Sequence, residues 1–212
     1  MNQNTQDKEA VDNLLNEFKR QLPEIMQLMN PGISVEELNT TEKDLGITFP
    51  ASYKRLLSIT NGEGPFVGTM CYSLMPIADS IREYGRMKMD VKDISPVPDV
   101  FPKDYAIPQK YSLNRYPFAS DGSGNFICID YSPGPKGKIG QVVTIALGDP
   151  DPIDVLADSF TEYLIFLKHA LVTGKLAFND EREEDDDPDE LAWKVYFENR
   201  FRFREVREMM VK

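Results

Sequence analysis

One histidine and two cysteines in 212 residues leave little material for soft-metal or thiol chemistry. With a single imidazole the usual zinc sets cannot be assembled, and no Cys-x-x-Cys occurs. Cys71 and Cys128 stand far apart, each among strand-forming residues, which reads most simply as two buried, reduced thiols. Long apolar runs are missing as well: no stretch approaches the roughly 18 consecutive apolar residues of a membrane span. The opening MNQNTQDKEAVDNLL is polar and acidic, without the basic flank and apolar segment of a secretory signal. These absences lead to the expectation of a cytoplasmic chain with no membrane contact. Positive charge is also scarce. Lys and Arg number 24 against 35 Asp and Glu, a net charge of −11, which argues against direct nucleic-acid binding through phosphates.

The familiar catalytic signatures are absent too. Neither His-Glu-x-x-His nor Gly-x-Ser-x-Gly occurs. His169 sits in a helical stretch beside Lys168 with no fixed partner in view, and pairing it with a cysteine as base and nucleophile would need an accident of folding. The glycine-rich run Asp121-Gly-Ser-Gly-Asn125 invites a test as a phosphate or calcium loop. A P-loop needs a following Lys and a helix, whereas this run precedes strand-like residues. A calcium loop would want Gly where Phe126 stands and Glu where Ser132 stands. The run therefore reads as the turn of a β-hairpin, with Asp121 and Asn125 satisfying its backbone. No catalytic residue, cofactor or metal is assigned, and the chain is expected not to be an enzyme.

What is present is hydrophobic pattern. Val11, Leu14, Leu15, Phe18 and Leu22 recur at helical spacing near the N-terminus. Ser34 and Glu37 form a capping box for a helix that Gly46 ends, and FPASYKRLLSITNG predicts a short helix leaving at Asn61-Gly62. FVGTMCYSLM predicts a strand and IADSIREYGRMKMD a helix, and the proline-dense stretch 91–109 predicts an ordered, irregular loop. RYPFAS, NFICIDY and GQVVTIAL follow, separated by turn chemistry, as an antiparallel meander; PIDVLA adds a short strand. DSFTEYLIFLKHALVTG is the clearest helix, capped by Ser159 and Glu162, with Phe160, Tyr163, Leu164, Leu167 and Leu171 on one face. Then composition breaks. Residues 180–190 carry nine carboxylates against Arg182, and LAWKVYFENRFRFREVREMMVK beyond them is aromatic and basic, with an amphipathic helix expected. That tail is read as folding back on the domain, or as binding a protein partner or a second copy of the chain. The fold class is α+β: one domain with a central antiparallel sheet flanked by helices, plus a C-terminal acidic and basic extension. The divisions are a helical flank at 1–30, the α+β domain at 31–178 and the extension at 179–212.

Several phrases in this order resemble the SUKH superfamily, which includes fungal cell-wall assembly regulators of the Smi/Knr type and many bacterial immunity proteins. They are Leu45, Gly46, Phe49, Pro50, Tyr53, Asn61 and Gly62; then Phe118, Ala119, Asp121, Gly122, Gly124, Asn125, Ile127, Cys128, Ile129 and Asp130; then Ala157, Ser159, Phe160, Tyr163 and Leu164. Phe49 replaces the common Leu, and Tyr116 stands near where the family often has Trp. The likeness runs from about residue 30 to 172 and leaves the tail outside. It implies a binding module: a cytoplasmic immunity protein that neutralises a basic toxin domain of the nuclease type, or alternatively a regulatory or scaffold protein. Acidity suits the first role, because an acidic inhibitor gains on-rate and complementarity against a basic surface. Glu63, Asp121, Asn125 and Asp130 are the partner-binding candidates, Glu63 and Asp121 because both are expected in loops.

Overall fold

The computed structural model describes residues 3–23, 25–64, 67–89, 99–147, 151–181 and 194–210. Helix α1 (Gln3–Gln21) buries the expected stripe of Val11, Leu14, Leu15 and Phe18. The chain then makes a 3-10 turn at Ile25–Gln27 and a short strand, β1 (Met29–Pro31). Ser34 caps α2 (Val35–Leu45) by accepting from the Glu37 N–H, and Gly46 closes it in the left-handed conformation. Helix α3 (Ala51–Ile59) runs directly into β2 (Thr60–Glu63), which pairs antiparallel with β1. Asn61 and Gly62 thus lie inside a strand, where a helix exit was expected. The Asn61 side chain instead accepts from the Ile77 N–H at 2.8 Å, the first turn of α4 (Ile77–Met87). Gly62 has φ +88°, and a Cβ there would meet the Pro76 nitrogen at 2.6 Å.

The main sheet has six strands among the described residues, in the order β3-β5-β6-β7-β8-β4. Its centre is the expected meander of β5 (Arg115–Ser120), β6 (Asn125–Asp130) and β7 (Gln141–Ala146), followed by β8 (Ile153–Ala157), all antiparallel. One edge is β3 (Ser73–Leu74); the other is β4 (Val100–Phe101), which joins β8 in parallel. That strand falls in the proline-dense stretch where only an irregular loop was expected, and residues 91–98 of that stretch lie outside the described residues.

Both faces of the sheet are covered, which is why its strands read as continuous apolar runs. On one face Tyr116, Phe118, Ile127, Ile129, Val142 and Leu156 join α1, α3 and α5 (Phe160–Val172) in the larger core. Tyr53 sits inside it, ring to ring with Phe49 at 5.3 Å and with Phe160 at 5.2 Å. On the other face Phe126, Cys128, Val143, Ile145, Ile153 and Val155 pack with Met75, Met87 and Ala106.

The C-terminal extension departs from expectation. The segment predicted as a helix begins with strand β10 (Val195–Asn199), paired antiparallel with β9 (Leu176–Asp180). A 3-10 turn at Phe203–Glu205 and a short helix α6 (Val206–Met210) follow. Alternation within the hairpin turns Phe197 inward onto Phe18 and Phe178, both at 5.3 Å, while Phe201 meets Phe166 at the same spacing. The tail does fold back, as a strand whose Phe197 N–H donates to the Val67 carbonyl at 2.7 Å. The carboxylate run from Glu183 to Glu190, and Trp193, lie outside the described residues.

Because Phe197 is buried between α1 and the hairpin, Phe197→Ala is expected to lower the unfolding free energy by about 3 kcal/mol. Urea denaturation of the full chain measures this. A tail that merely hung from the domain would give no change.

Candidate functional site

Three of the four sequence candidates gather at one end of the sheet, and Asp130 lies apart from them. Glu63 and Asp121 line one cleft of about 490 Å³ between α4 and the β5–β6 turn. Asn125 opens β6, and Asp130 closes it five residues on, roughly 17 Å away at strand spacing.

Glu63 ends β2 and is 6% exposed, so it is neither in a loop nor at the surface. Its Oε1 accepts three backbone N–H groups, from Gly68 at 2.8 Å, Thr69 at 3.1 Å and Leu74 at 2.9 Å, while Oε2 bonds the Thr69 hydroxyl. The segment 67–74 wraps around this carboxyl, with Cys71 in the left-handed region at φ +68°. A strand was expected through 66–75, but among the described residues of that stretch only Ser73–Leu74 pairs, because the Gly68 and Thr69 donors are spent on Glu63. Burial pushes the Glu63 carboxyl up to about 7, against the pull of these four donors. With both oxygens filled by its own loop, it is a structural group rather than a partner contact.

Asp130 is also removed from the surface. It is fully buried against Arg115, with Arg115 Nε 3.4 Å from Oδ1, and it accepts from the Ser132 N–H at 2.9 Å and the Gln141 amide at 3.0 Å. The other arms of Arg115 donate to the carbonyls of Gln109 and Ile107, tying the 107–109 loop to the sheet end. Burial lowers the Arg115 pKa from its ordinary value, and Asp130 opposes that.

Asp121 behaves as the turn reading requires. Oδ1 accepts the N–H groups of Ser123 at 2.8 Å and Asn125 at 3.1 Å, and Oδ2 accepts the Ser123 hydroxyl and the Asn125 amide. Partial burial would raise its carboxyl, but these donors together hold it below the usual range. Gly122 and Gly124 take positive φ to close the turn. Asp121 stays half-exposed at the cleft mouth, and Asn125, bonded to it, also lines a recess on the opposite face of the sheet.

Sequence reasoning missed the other wall. Along α4, Arg82 pairs with Asp79 at 2.6 Å and Arg86 with Glu83 at 3.0 Å, each three residues apart. Both arginine side chains are more than half exposed at the rim, and Leu74, Met75 and Phe126 form an apolar floor. The acid-base spacing in IADSIREYGRM was the available signal. An apolar centre with a charged rim is the anatomy of a protein-binding surface. The cysteines offer no nucleophile: burial pushes the Cys71 thiol up to about 12 and raises that of Cys128 as well. No helix among the described residues is long and apolar enough to cross a membrane.

A six-stranded α+β domain, with helices on the meander and a cleft between α4 and the hairpin turn, is the class of protein these features define. The chain belongs to the SMI1 / KNR4 family (SUKH-1), whose family model matches residues 32–165. Every residue lining the cleft falls within that span; α1 and the tail fall outside it. The chain is 24% identical to the "KNR4/SMI1 homolog" of Kluyveromyces lactis over 75% of its own length and 42% of that protein's. It is 32% identical to the "Cell wall assembly regulator SMI1" of Saccharomyces cerevisiae over 32% of its own length and 13% of that protein's. It thus spans less than half the length of these curated relatives.

Two outcomes follow from the buried carboxyls. Folded Glu63 keeps its proton to about pH 7 while an unfolded glutamate releases it near 4.5. Folding therefore takes up a proton between those values. The stabilisation is complete below about pH 4.5 and is lost as pH rises through about 7, on the order of 3 kcal/mol. Glu63→Gln, which keeps an acceptor for the three N–H groups, is expected to fold and to flatten this slope in urea titrations across pH. Asp130→Ala should cost about 3–5 kcal/mol by stranding Arg115, and the double variant Arg115→Met, Asp130→Leu should recover most of it.

Proposed function

We propose that this chain is a non-enzymatic protein-binding module that holds a basic partner stoichiometrically through the cleft between α4 and the β5–β6 turn. The observation that carries the reading is the cleft itself: an apolar floor of Leu74, Met75 and Phe126 beneath a rim of Asp79, Arg82, Arg86 and Asp121. A groove of this kind accepts a loop or extended segment of another protein, with pairing at the rim setting specificity. The net charge of −11 supports a basic partner, because opposite fields raise the encounter rate. The partner favoured is a basic toxin domain, with a nuclease the natural case, and the chain acts as its immunity protein in the cytoplasm.

Regulation is the second reading. It is favoured by the likeness to a yeast protein named as a cell wall assembly regulator. In that role the same cleft takes several partners of moderate affinity.

The two are separated by co-expressing the chain with the basic toxin domain encoded beside its gene, scoring survival and co-purification. Immunity predicts rescue and a complex of fixed stoichiometry. Asp79→Lys combined with Asp121→Asn is expected to weaken that complex at least tenfold, whereas Ile165→Lys, an exposed change on α5, leaves it intact. No rescue and no complex would sink the immunity reading. A complex indifferent to the cleft variants would remove the cleft as its site.

A further inference from the structure

A second recess opens at the same end of the sheet, on its other face. Alternation along β6 and β7 sets Phe126 and Ile145 toward the smaller core and Asn125 and Thr144 away from it. The recess holds about 230 Å³ and is lined by Tyr72, Asn125, Thr144, Asp151, Asp154 and the tail's Phe203, among others. Asp154 is only 8% exposed, and its Oδ1 is enclosed without a hydrogen-bond donor among the described residues. This sets it apart from Glu63 and Asp130, whose oxygens are supplied with donors. A buried carboxylate oxygen left without a donor is destabilising, and a cation or donor brought to this carboxyl would offset that cost. The Asp154 backbone N–H is satisfied, donating to the Thr144 hydroxyl at 2.9 Å.

The surroundings are negative and aromatic. Asp151 stands exposed at the rim, and both it and Asp121 act on the Tyr72 hydroxyl, raising its pKa after burial has done so. Burial raises the Asp154 carboxyl and Asp151 adds to this; Arg204 pulls the other way, its guanidinium lying over the Phe101 ring at 5.6 Å. Tyr72 and Phe203 meet edge to face at 5.5 Å, and aromatic rings attract cations.

We propose that this recess is a socket for one organic cation, the ammonium or guanidinium head of a Lys or Arg side chain presented by a protein partner. Its volume is below the roughly 300–1,000 Å³ of pockets for drug-sized ligands and suits a single side-chain head. A divalent metal is a poorer fit. Calcium takes about six to eight oxygens, and no three His, Cys, Asp or Glu side chains gather among the described residues. That the cation arrives on a protein partner rests on the proposed function; that the socket takes a cation does not, and a small probe tests it separately.

The experiment is an NMR titration of the full chain with methylguanidinium chloride at constant ionic strength, with butylammonium chloride and calcium chloride as parallel arms. The expected result is saturable shifts at the amides of Tyr72, Asn125, Thr144 and Asp154 with either organic cation. Asp154→Asn should weaken binding at least tenfold, and Asp151→Asn, an exposed change that leaves the core untouched, about two- to fivefold. Shifts that fail to saturate, that persist unchanged in both variants, or that saturate with calcium alone would overturn the socket. Saturable probe binding together with a toxin complex indifferent to Asp154→Asn would keep the socket and remove the toxin as the source of its cation.

Discussion

One buried carboxyl organises the cleft end of this protein. Glu63 gathers three backbone N–H groups and a hydroxyl from the segment that follows it, so a stretch with strand-forming composition becomes a tight loop. The consequences run outward. The Leu74 N–H, which would face an open sheet edge, is satisfied, and the Met75 N–H remains free to bond the Phe118 carbonyl and seat β3 on β5. Pro76 then follows at the position where Gly62 leaves room, and Asn61 supplies the acceptor for the first turn of α4. Cleft floor and cleft wall are thus positioned from a single short strand, β2.

The opposite end of the sheet has its own tie, the Arg115–Asp130 pair with Gln141 and Ser132 around it. The two ties differ in what they cost. The Arg115–Asp130 pair buries two opposite charges, and its value lies in holding the loops at 107–109 and 132 in register with the strands. Among the described residues no buried cation stands beside Glu63, and burial raises its proton affinity toward neutrality. The sheet between them needs neither, being covered on both faces by aromatic and aliphatic packing.

Elements whose signals are local were legible in the sequence. The Ser34 and Ser159 caps, the helical stripe of α1 and the Asp121 turn all formed where residue spacing put them. Features set by distant partners were not. Asp130 and Glu63 carry the residue type of surface contacts, and only their neighbours in space, Arg115 and the 67–74 backbone, make them interior. The tail shows the same limit: its alternating Phe197, Phe201 and Phe203 sit among arginines that also suit a helix, and pairing with β9 across an acidic insertion decides the matter. The α4 rim went unread because its charges satisfy one another along the helix and so look like an ordinary solvated face. What made the family recognisable was the hairpin and capping phrases; the hairpin phrase supplies one wall of the cleft through Asp121, Gly122 and Gly124, while the α4 wall carries no comparable motif.

The central claim is that the cleft between α4 and the β5–β6 turn is where a protein partner docks. Hydrogen-exchange mass spectrometry of the full chain, alone and saturated with the proposed basic protein partner, tests it most directly. The account predicts added protection at residues 73–86 and 120–126, with the outer face of α2 unchanged. Protection confined to α2 or to the C-terminal hairpin, with the cleft segments exchanging as in the free chain, would contradict it.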